Sequence, residues 1–308
     1  MSKHKPKIVV LMATFNGEQW IKEQIDSIVV QENVDVSIYV SDDHSLDATL
    51  EIVNGLVGTA SLTFLAKADA SGSAGSNFRR LFRDVDVSSF DYVALADQDD
   101  VWHPLKLIEA VTVMARDRSA GYSGAVDSFW LDGRRKVVRQ NGHMRAGDFL
   151  FEGAGQGCTF VVRADLFLLV QDFLRRHHEL AESLHYHDWL IYLLARAHGL
   201  RWTFDTRAWI AYRQHGSNEI GSRGGWRGAR SRLAKIRSGW YRTQIAAAMQ
   251  AYLAADPANV FVQRAQRVFS QPMSLGRRLQ FAKLSVLHGR RRKSDRIVVL
   301  VAALMGWI

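Results

Sequence analysis

Cysteine is nearly missing from this chain of 308 residues: Cys158 stands alone. A single thiol excludes an intrachain disulfide and any Cys-X-X-Cys zinc cage, and a reducing cytoplasm is the expected compartment. Long apolar runs are missing too. No stretch reaches the ~20 apolar residues that a bilayer-spanning helix needs, and Met1 to Lys7 is a basic lead into a short strand rather than a signal peptide. No internal repeat is visible, which sets solenoid architectures aside. Acids are scarce at one end only. Residues 223–308 carry 17 Lys and Arg against two Asp and Glu, whereas residues 1–222 carry 23 against 29. The net charge of +9 is therefore a slightly acidic body joined to a strongly basic end. Such an end suits a polyanion, either anionic lipid or nucleic acid.

The 47% hydrophobic content is ample for a packed core. Lys7 to Met12 and Tyr92 to Ala96 lack polar alternation, as strands covered on both faces of a parallel sheet do. Between them the spacing predicts an amphipathic helix over Glu18 to Val30, with Trp20, Ile21, Ile25 and Ile28 on its apolar face. A strand over Val34 to Val40, a helix over Asp47 to Leu56, a strand over Leu62 to Ala66 and a helix beginning at Asn77 to Phe82 follow. A long helix from Pro104 to about Arg116 closes the series. Strands alternating with helices imply a doubly wound α/β fold with a mostly parallel sheet. Beyond residue 116 the pattern turns antiparallel: Asp127 to Leu131 and Arg135 to Val138 flank Asp132-Gly133, a favoured hairpin turn pair. Thr159 to Val162 reads as a strand, Asp165 to Glu182 and Asp188 to Ala197 as helices, and the basic end as helical.

Chemistry concentrates at the expected strand ends. Asp97-Gln98-Asp99-Asp100 follows the Tyr92 strand, and ligands of open α/β sheets gather at the carboxyl ends of strands. Hard cations such as Mg²⁺ or Mn²⁺ take oxygen ligands and share them with substrate phosphates. A helix start at Pro104 would explain one of these acids rather than three, and Asp100 is the one left to that reading. Ser41-Asp42-Asp43 ends the second strand on the same edge as Thr14 and Asn16. Asn77, Arg79 and Arg80 begin a helix, a favourable place for anions, although solvation is the ordinary state of at least one of those arginines. Cys158, in Gly157-Cys158-Thr159, reads as a small core residue, and His177, His178 and His185 to His187 are too scattered to define a metal cage.

Ala13-Thr14-Phe15-Asn16-Gly17-Glu18, Ser41-Asp42-Asp43 with Ser45 and Asp47, and Asp97-Gln98-Asp99-Asp100-Val101-Trp102 with Pro104 and Leu107 together resemble family 2 glycosyltransferases in order and spacing. Gly157-Cys158-Thr159, His187-Asp188-Trp189 and Tyr212-Arg213-Gln214-His215-Gly216 are similar to the bacterial rhamnosyltransferase-like subgroup. The resemblance spans roughly residues 7 to 220. It implies a glycosyltransferase A-type, Rossmann-like sheet with an antiparallel acceptor-side part. Residues 1–116 would bind the nucleotide sugar, 117–220 would face the acceptor, and 221–308 would form a basic helical extension. It further implies an inverting, Mg²⁺- or Mn²⁺-dependent transfer of L-rhamnose from dTDP-rhamnose to a growing surface glycan such as O-antigen, lipopolysaccharide core or exopolysaccharide. Ala13, Thr14, Asn16, Asp43, Asn77 and Asp97 fall at donor positions and Asp99 and His215 at the metal. Gly157, Cys158 and Trp189 fall on the acceptor side, and Asp188 at the catalytic base. Many family members carry Glu-Asp where this chain has His187-Asp188, so the aspartate is kept and its neighbour is not. A nucleotidyltransferase with a similar acidic site and a non-catalytic glycan-binding protein are the competing classes.

Arg290-Arg291-Arg292-Lys293 precedes Ile297 to Ile308, twelve residues that are almost wholly apolar. A helix of that length reaches about 18 Å, short of a bilayer core near 30 Å, and is expected to lie in the interface of the cytoplasmic face of the membrane or to pack on its own domain. Nucleic acid fits the charge, but no recognised nucleic-acid motif accompanies it.

Overall fold

The computed structural model describes residues 5–58, 61–66, 69–139, 143–216, 233–270 and 274–308. Strand β1 (Lys7–Thr14) is its spine. Ile8, Val9, Val10, Leu11 and Met12 are all fully buried, and each such side chain contributes about 1.5–3 kcal/mol relative to an exposed one. Their alternation sends Val9 and Leu11 into one apolar cluster and Ile8, Val10 and Met12 into another, so the strand is covered on both faces as its unbroken apolar run requires.

β1 lies parallel between β2 (Asp35–Asp42) and β4 (Tyr92–Ala96), and β3 (Leu62–Phe64) lies parallel outside β2. On the other side of β4 the sheet turns mixed. β8 (Val161–Arg163) runs antiparallel to β4, and β6 (Gly121–Trp130) antiparallel to β8 and to β7 (Arg135–Val138). β9 (Trp202–Gln214) is parallel to β6, and β5 (Val101–Trp102) antiparallel to the end of β9. The spatial order is β3-β2-β1-β4-β8-β6-β9-β5, with β7 beside β6. Helices α1 (Ile21–Val29), α2 (Thr49–Leu56) and α4 (Lys106–Asp117) pack on one face. Helices α3 (Ala74–Asp84), α5 (Ala164–Arg176) and α7 (His187–Ala197) pack on the other. The parallel half and the hairpin at Asp132-Gly133 match expectation; the second half, expected antiparallel, is mixed, because β9 runs parallel to β6.

Three expectations need correction, and one strand was not expected. The helix expected over Asp165 to Glu182 is two, α5 and α6 (His178–Ser183), broken at His177. β9, thirteen residues long, carries no clear strand pattern in sequence, because Arg, Asp and Thr interrupt its apolar positions. Helix α4 begins at Lys106 rather than Pro104, because β5 intervenes after the acids. Asp100 therefore caps no helix: it is fully buried and accepts from the Arg213 N–H at 3.2 Å.

The basic end is helical, as expected, over Trp240–Ala255, Val260–Phe269, Leu275–His288 and Lys293–Leu304. The expected boundary at 220/221 falls outside the described residues. These helices share the apolar cluster of α3, α5 and α7: the Tyr252 ring stacks on Phe149 at 4.5 Å, and Tyr241 Oη donates to the Phe151 carbonyl. Arg291 is drawn inward, donating to buried Asp148 at 3.0 Å and to the Gly153 carbonyl, and Arg290 pairs with Glu152 and Asp295. Half of the run expected to face a membrane is thus spent within the fold. No helix among the described residues is long and apolar enough to cross a membrane.

Candidate active site

The parallel register sets Thr14 beside Asp42 and Met12 beside Ala96, so the ends of β1, β2 and β4 open on one edge. Thr14 Oγ1 donates to Asp42 Oδ1 at 2.8 Å, and Asp42 also accepts from the Ser45 N–H and hydroxyl. Asn16 adopts a left-handed φ of 48°, a conformation that Asn tolerates better than most residues. There its N–H meets Ser45 Oγ and its Oδ1 accepts from the Leu46 N–H. Asp43 accepts from the backbone N–H groups of Ser71 and Gly72, which brings the loop before α3 against the end of β2. Asn77 is buried and spans the two strands, donating to the Thr14 and Ser41 carbonyls and accepting from Ser41 Oγ at 2.6 Å. Its amide is therefore taken up by the two strand ends rather than pointing into open space.

The acidic loop is clasped from both sides. Gln98 exchanges two 2.8 Å hydrogen bonds with the backbone of Phe15, tying the loop after β4 to the loop after β1. β5 pairs with the end of β9, Val101 opposite Ala211 and Trp102 opposite Ile210, and this pairing carries His215 across to Asp99. His215 Nε2 and Asp99 Oδ2 lie 2.6 Å apart, both nearly buried. Arg213 donates to the Asp99 carbonyl at 2.9 Å and to Glu23 at 2.6 Å. Deeper in, the ligand atoms of Asp97, Asp100 and Cys158 all lie within 4.8 Å of one another. Burial first, then the charges of Asp99 and Asp97, push the Asp100 carboxyl well above the usual carboxylate range. Asp100 Oδ2 is buried without a hydrogen-bond partner among the described residues.

A donor set of carboxylates and one imidazole suits a hard or borderline divalent cation. The residues present therefore fit the Mg²⁺ or Mn²⁺ that the resemblance implies, with Asp99 and His215 as the pair already in contact.

Asp188 lies in the first turn of α7, where the helix dipole favours a carboxylate. The 3₁₀ turn Gly157–Thr159 links it to the acids. A side chain at Gly157 would sit 3.1 Å from His187 Nε2 and 3.4 Å from Asp188 Oδ2, while the next residue, Cys158, touches the Asp97–Asp100 group. Glycine at 157 is what allows this close approach. His187 stacks on Phe78 at 4.1 Å. Burial, and secondly the Arg79 guanidinium, hold its imidazole down at about 3. Between pH 6.5 and about 3 the unfolded chain binds a proton there that the folded chain does not, so stability falls as pH falls below 6.5. The melting temperature of the wild type is expected to drop more steeply from pH 6.5 to 4.5 than that of His187→Asn; parallel slopes would remove His187 as the cause.

Three site expectations are corrected. Trp189, expected on the acceptor side, is a core residue 3% exposed whose indole donates to the Phe149 carbonyl. Arg79 and Arg80 are not solvated, and each is taken up by the protein's own carbonyls and carboxylates, Arg80 pairing with Asp84 at 3.6 Å. Arg79 binds the Leu184 and His185 carbonyls and Glu182, and Arg80 binds Ser41 and the Ala66 carbonyl. Trp20 does not lie on the buried face of α1; it precedes that helix and stacks on His215 at 4.1 Å. Cys158 is the buried small residue expected of it. Ser217 and Asn218, which follow the His215 motif, lie outside the described residues. The stack of Trp20 on His215, the Gln98 clasp and buried Lys106, whose Nζ sits 3.3 Å from the centre of the Trp102 ring, went unread. The first two join residues far apart in sequence.

Comparison with known proteins gives the family and the fold. The model of the family described as "Glycosyltransferase like family 2" matches residues 6–218. A dTDP-rhamnosyl transferase, RfbG, from Shigella flexneri is 33% identical over 296 residues, covering 96% of this chain and 99% of its own. Among solved structures, Staphylococcus aureus TarS 1–349 in complex with UDP-GlcNAc aligns with a TM-score of 0.56 at 16% identity, covering 98% of this chain and 89% of that one. The mannosyltransferase PcManGT from Pyrobaculum calidifontis, in complex with GDP-Man and Mn²⁺, aligns at 0.53 and 16% identity, covering 98% and 87%. The fold is that of the A-type glycosyltransferases, and the chain belongs to glycosyltransferase family 2.

Proposed function

We propose that this glycosyltransferase moves L-rhamnose from dTDP-rhamnose to a hydroxyl of a growing glycan, with inversion at the anomeric carbon. The observation that carries the reading is the convergence of Thr14, Asp43 and Asp97 at three adjacent parallel strand ends, with Asp99 against His215 and Asp188 one short turn away. The choice of donor rests on the near full-length likeness to a dTDP-rhamnosyl transferase.

Ala13 and Thr14 would line the nucleotide pocket. The Asp43 carboxylate has acceptor sites beyond the two it uses on Ser71 and Gly72, and these suit the imide N–H of thymine. Asp97 would face the ribose and diphosphate, with Asn77 tying the ends of β1 and β2 together beneath them. Asp99 and His215 would hold Mg²⁺ or Mn²⁺, which when bound supplies Lewis-acid neutralisation of the charge developing on the diphosphate. Asp188 would take the proton of the acceptor hydroxyl as that oxygen bonds to the anomeric carbon and the bond to the diphosphate breaks, releasing dTDP. Gly157 and Cys158 would form the floor between base and donor.

Thermal stabilisation by nucleotide sugars tests the reading, since a ligand that binds only the folded state at 100 times its Kd adds about 2.7 kcal/mol. With Mn²⁺, dTDP-rhamnose is expected to raise the melting temperature more than UDP-GlcNAc or GDP-mannose, and Asp99→Asn to lose the Mn²⁺-dependent part. Stabilisation by another donor alone would overturn the sugar assignment. Release of pyrophosphate rather than dTDP would overturn the transfer in favour of a nucleotidyltransferase.

A further inference from the structure

We propose that the helical hairpin of Leu275–His288 and Lys293–Leu304 is a docking face for an anionic lipid surface, independent of which sugar the site transfers. The second helix exposes Ile297 (61%), Val298 (49%), Val301 (47%), Leu304 (39%) and Met305 (56%), which recur at the spacing of a single helical face. Its opposite face, Val299, Ala302 and Ala303, is buried against the body. The first helix exposes Leu275 (71%), Leu279 (54%) and Leu287 (51%) four or eight residues apart, with exposed Lys283 completing the row. The Arg278 guanidinium reaches the Leu304 carbonyl, so the two helices lie side by side and antiparallel. Isolated apolar side chains on a surface are ordinary, but rows of this length on adjoining helices mark a contact surface.

The charge around these rows selects the occupant. From residue 274 onward the only acid is Asp295, and it is paired with Arg290. Lys283, Arg292 and Lys293 are exposed, and Arg296 flanks Ile297. A second copy of the chain docked on the same face would set cations against cations, because a two-fold interface meets itself. A nucleic acid would satisfy the cations but leave the aliphatic rows in water, with no exposed aromatic ring among them for base stacking. An anionic bilayer surface satisfies both: headgroup phosphates meet the lysines and arginines while the aliphatic rows enter the acyl boundary, as amphipathic interfacial helices do. Neither helix is long enough to span, so the hairpin lies in the interface plane.

Cosedimentation of the full chain with vesicles tests this. Wild-type protein is expected to pellet with phosphatidylcholine vesicles containing about one third phosphatidylglycerol, to remain in solution with phosphatidylcholine alone, and to release at high salt. Lys283→Glu with Lys293→Glu leaves the packed core untouched and is expected to weaken binding more than tenfold, each lost cation contributing about fivefold. Val301→Asp with Leu304→Asp is expected to weaken it at least as much. Retained donor-induced stabilisation would show that both variants are folded, and if the second unfolds the charge reversal decides alone. Wild-type protein that ignores anionic vesicles, equal binding to both vesicle types, or a charge-reversed variant that binds like wild type would overturn the proposal. A dimer in light scattering that Val301→Asp dissolves would overturn it in favour of a second copy.

Discussion

Replacing Asp188 with Asn is expected to lower sugar transfer on the order of a thousandfold while leaving donor binding intact, since a positioned general base contributes about 10²–10⁴-fold. The substitution preserves size and removes only the capacity to accept a proton. Its surroundings favour that role: the residue sits in the first turn of α7, held by the packing of Gly157 against it. The neighbouring His187 cannot substitute, because its imidazole is held down at about 3 and Nε2 is enclosed. Turnover should be measured at saturating donor and compared with the donor-induced rise in melting temperature. Equal losses in turnover and donor binding would make Asp188 a structural residue, and undiminished transfer would remove it as the base.

Asp148→Ala is expected to destabilise the fold by about 3–5 kcal/mol, the range for breaking a buried ion pair from one side. Asp148 is fully buried and joins three partners: Arg196 at 2.7 Å, Arg291 at 3.0 Å and the Tyr192 hydroxyl at 2.9 Å. Arg291 itself is 7% exposed and without the Asp148 carboxylate keeps only the Gly153 carbonyl and Glu152 at 3.6 Å. Replacing Asp148 by Leu and Arg291 by Met together should recover part of the loss, because an apolar pair leaves no uncompensated charge. Urea unfolding gives both values, and a loss below 1 kcal/mol for Asp148→Ala would show that water reaches the stranded arginines. Arg196 is in the last turn of α7 and Asp188 in its first, so the same variant is expected to loosen the helix that carries the base and to lower turnover as well as stability.

This ion network also divides the basic end into an inward and an outward half. Arg290 to Lys293 looks in sequence like one solvated cationic run, yet its first two members bind Asp148, Gly153 and Glu152, some 140 residues earlier. No local pattern distinguishes an arginine that faces water from one that faces a distant buried carboxylate. What remained outward is the apolar spacing of Ile297, Val301 and Leu304, which was legible, and whose exposure only packing could reveal. Trp20 has the same history. Its position suits the apolar face of a helix, but the chain enters that helix one residue later, and the indole covers His215 instead.

By itself the sequence determined the parallel half of the sheet, because unbroken apolar runs at Ile8 to Met12 and Tyr92 to Ala96 have no stable place except between two covering layers. It also determined that acids stand at the ends of those strands, since strand direction and spacing alone place Asp43 and Asp97 to Asp100 on one edge. Only the tertiary structure decided which of these side chains meet. Asp99 reaches His215 because a two-residue strand pairs with the end of β9, and Asp188 packs closely against position 157, where glycine leaves room for it. Both depend on contacts between residues far apart along the chain, whose free energy belongs to packing and charge in the folded state and leaves no periodic trace in the order of amino acids.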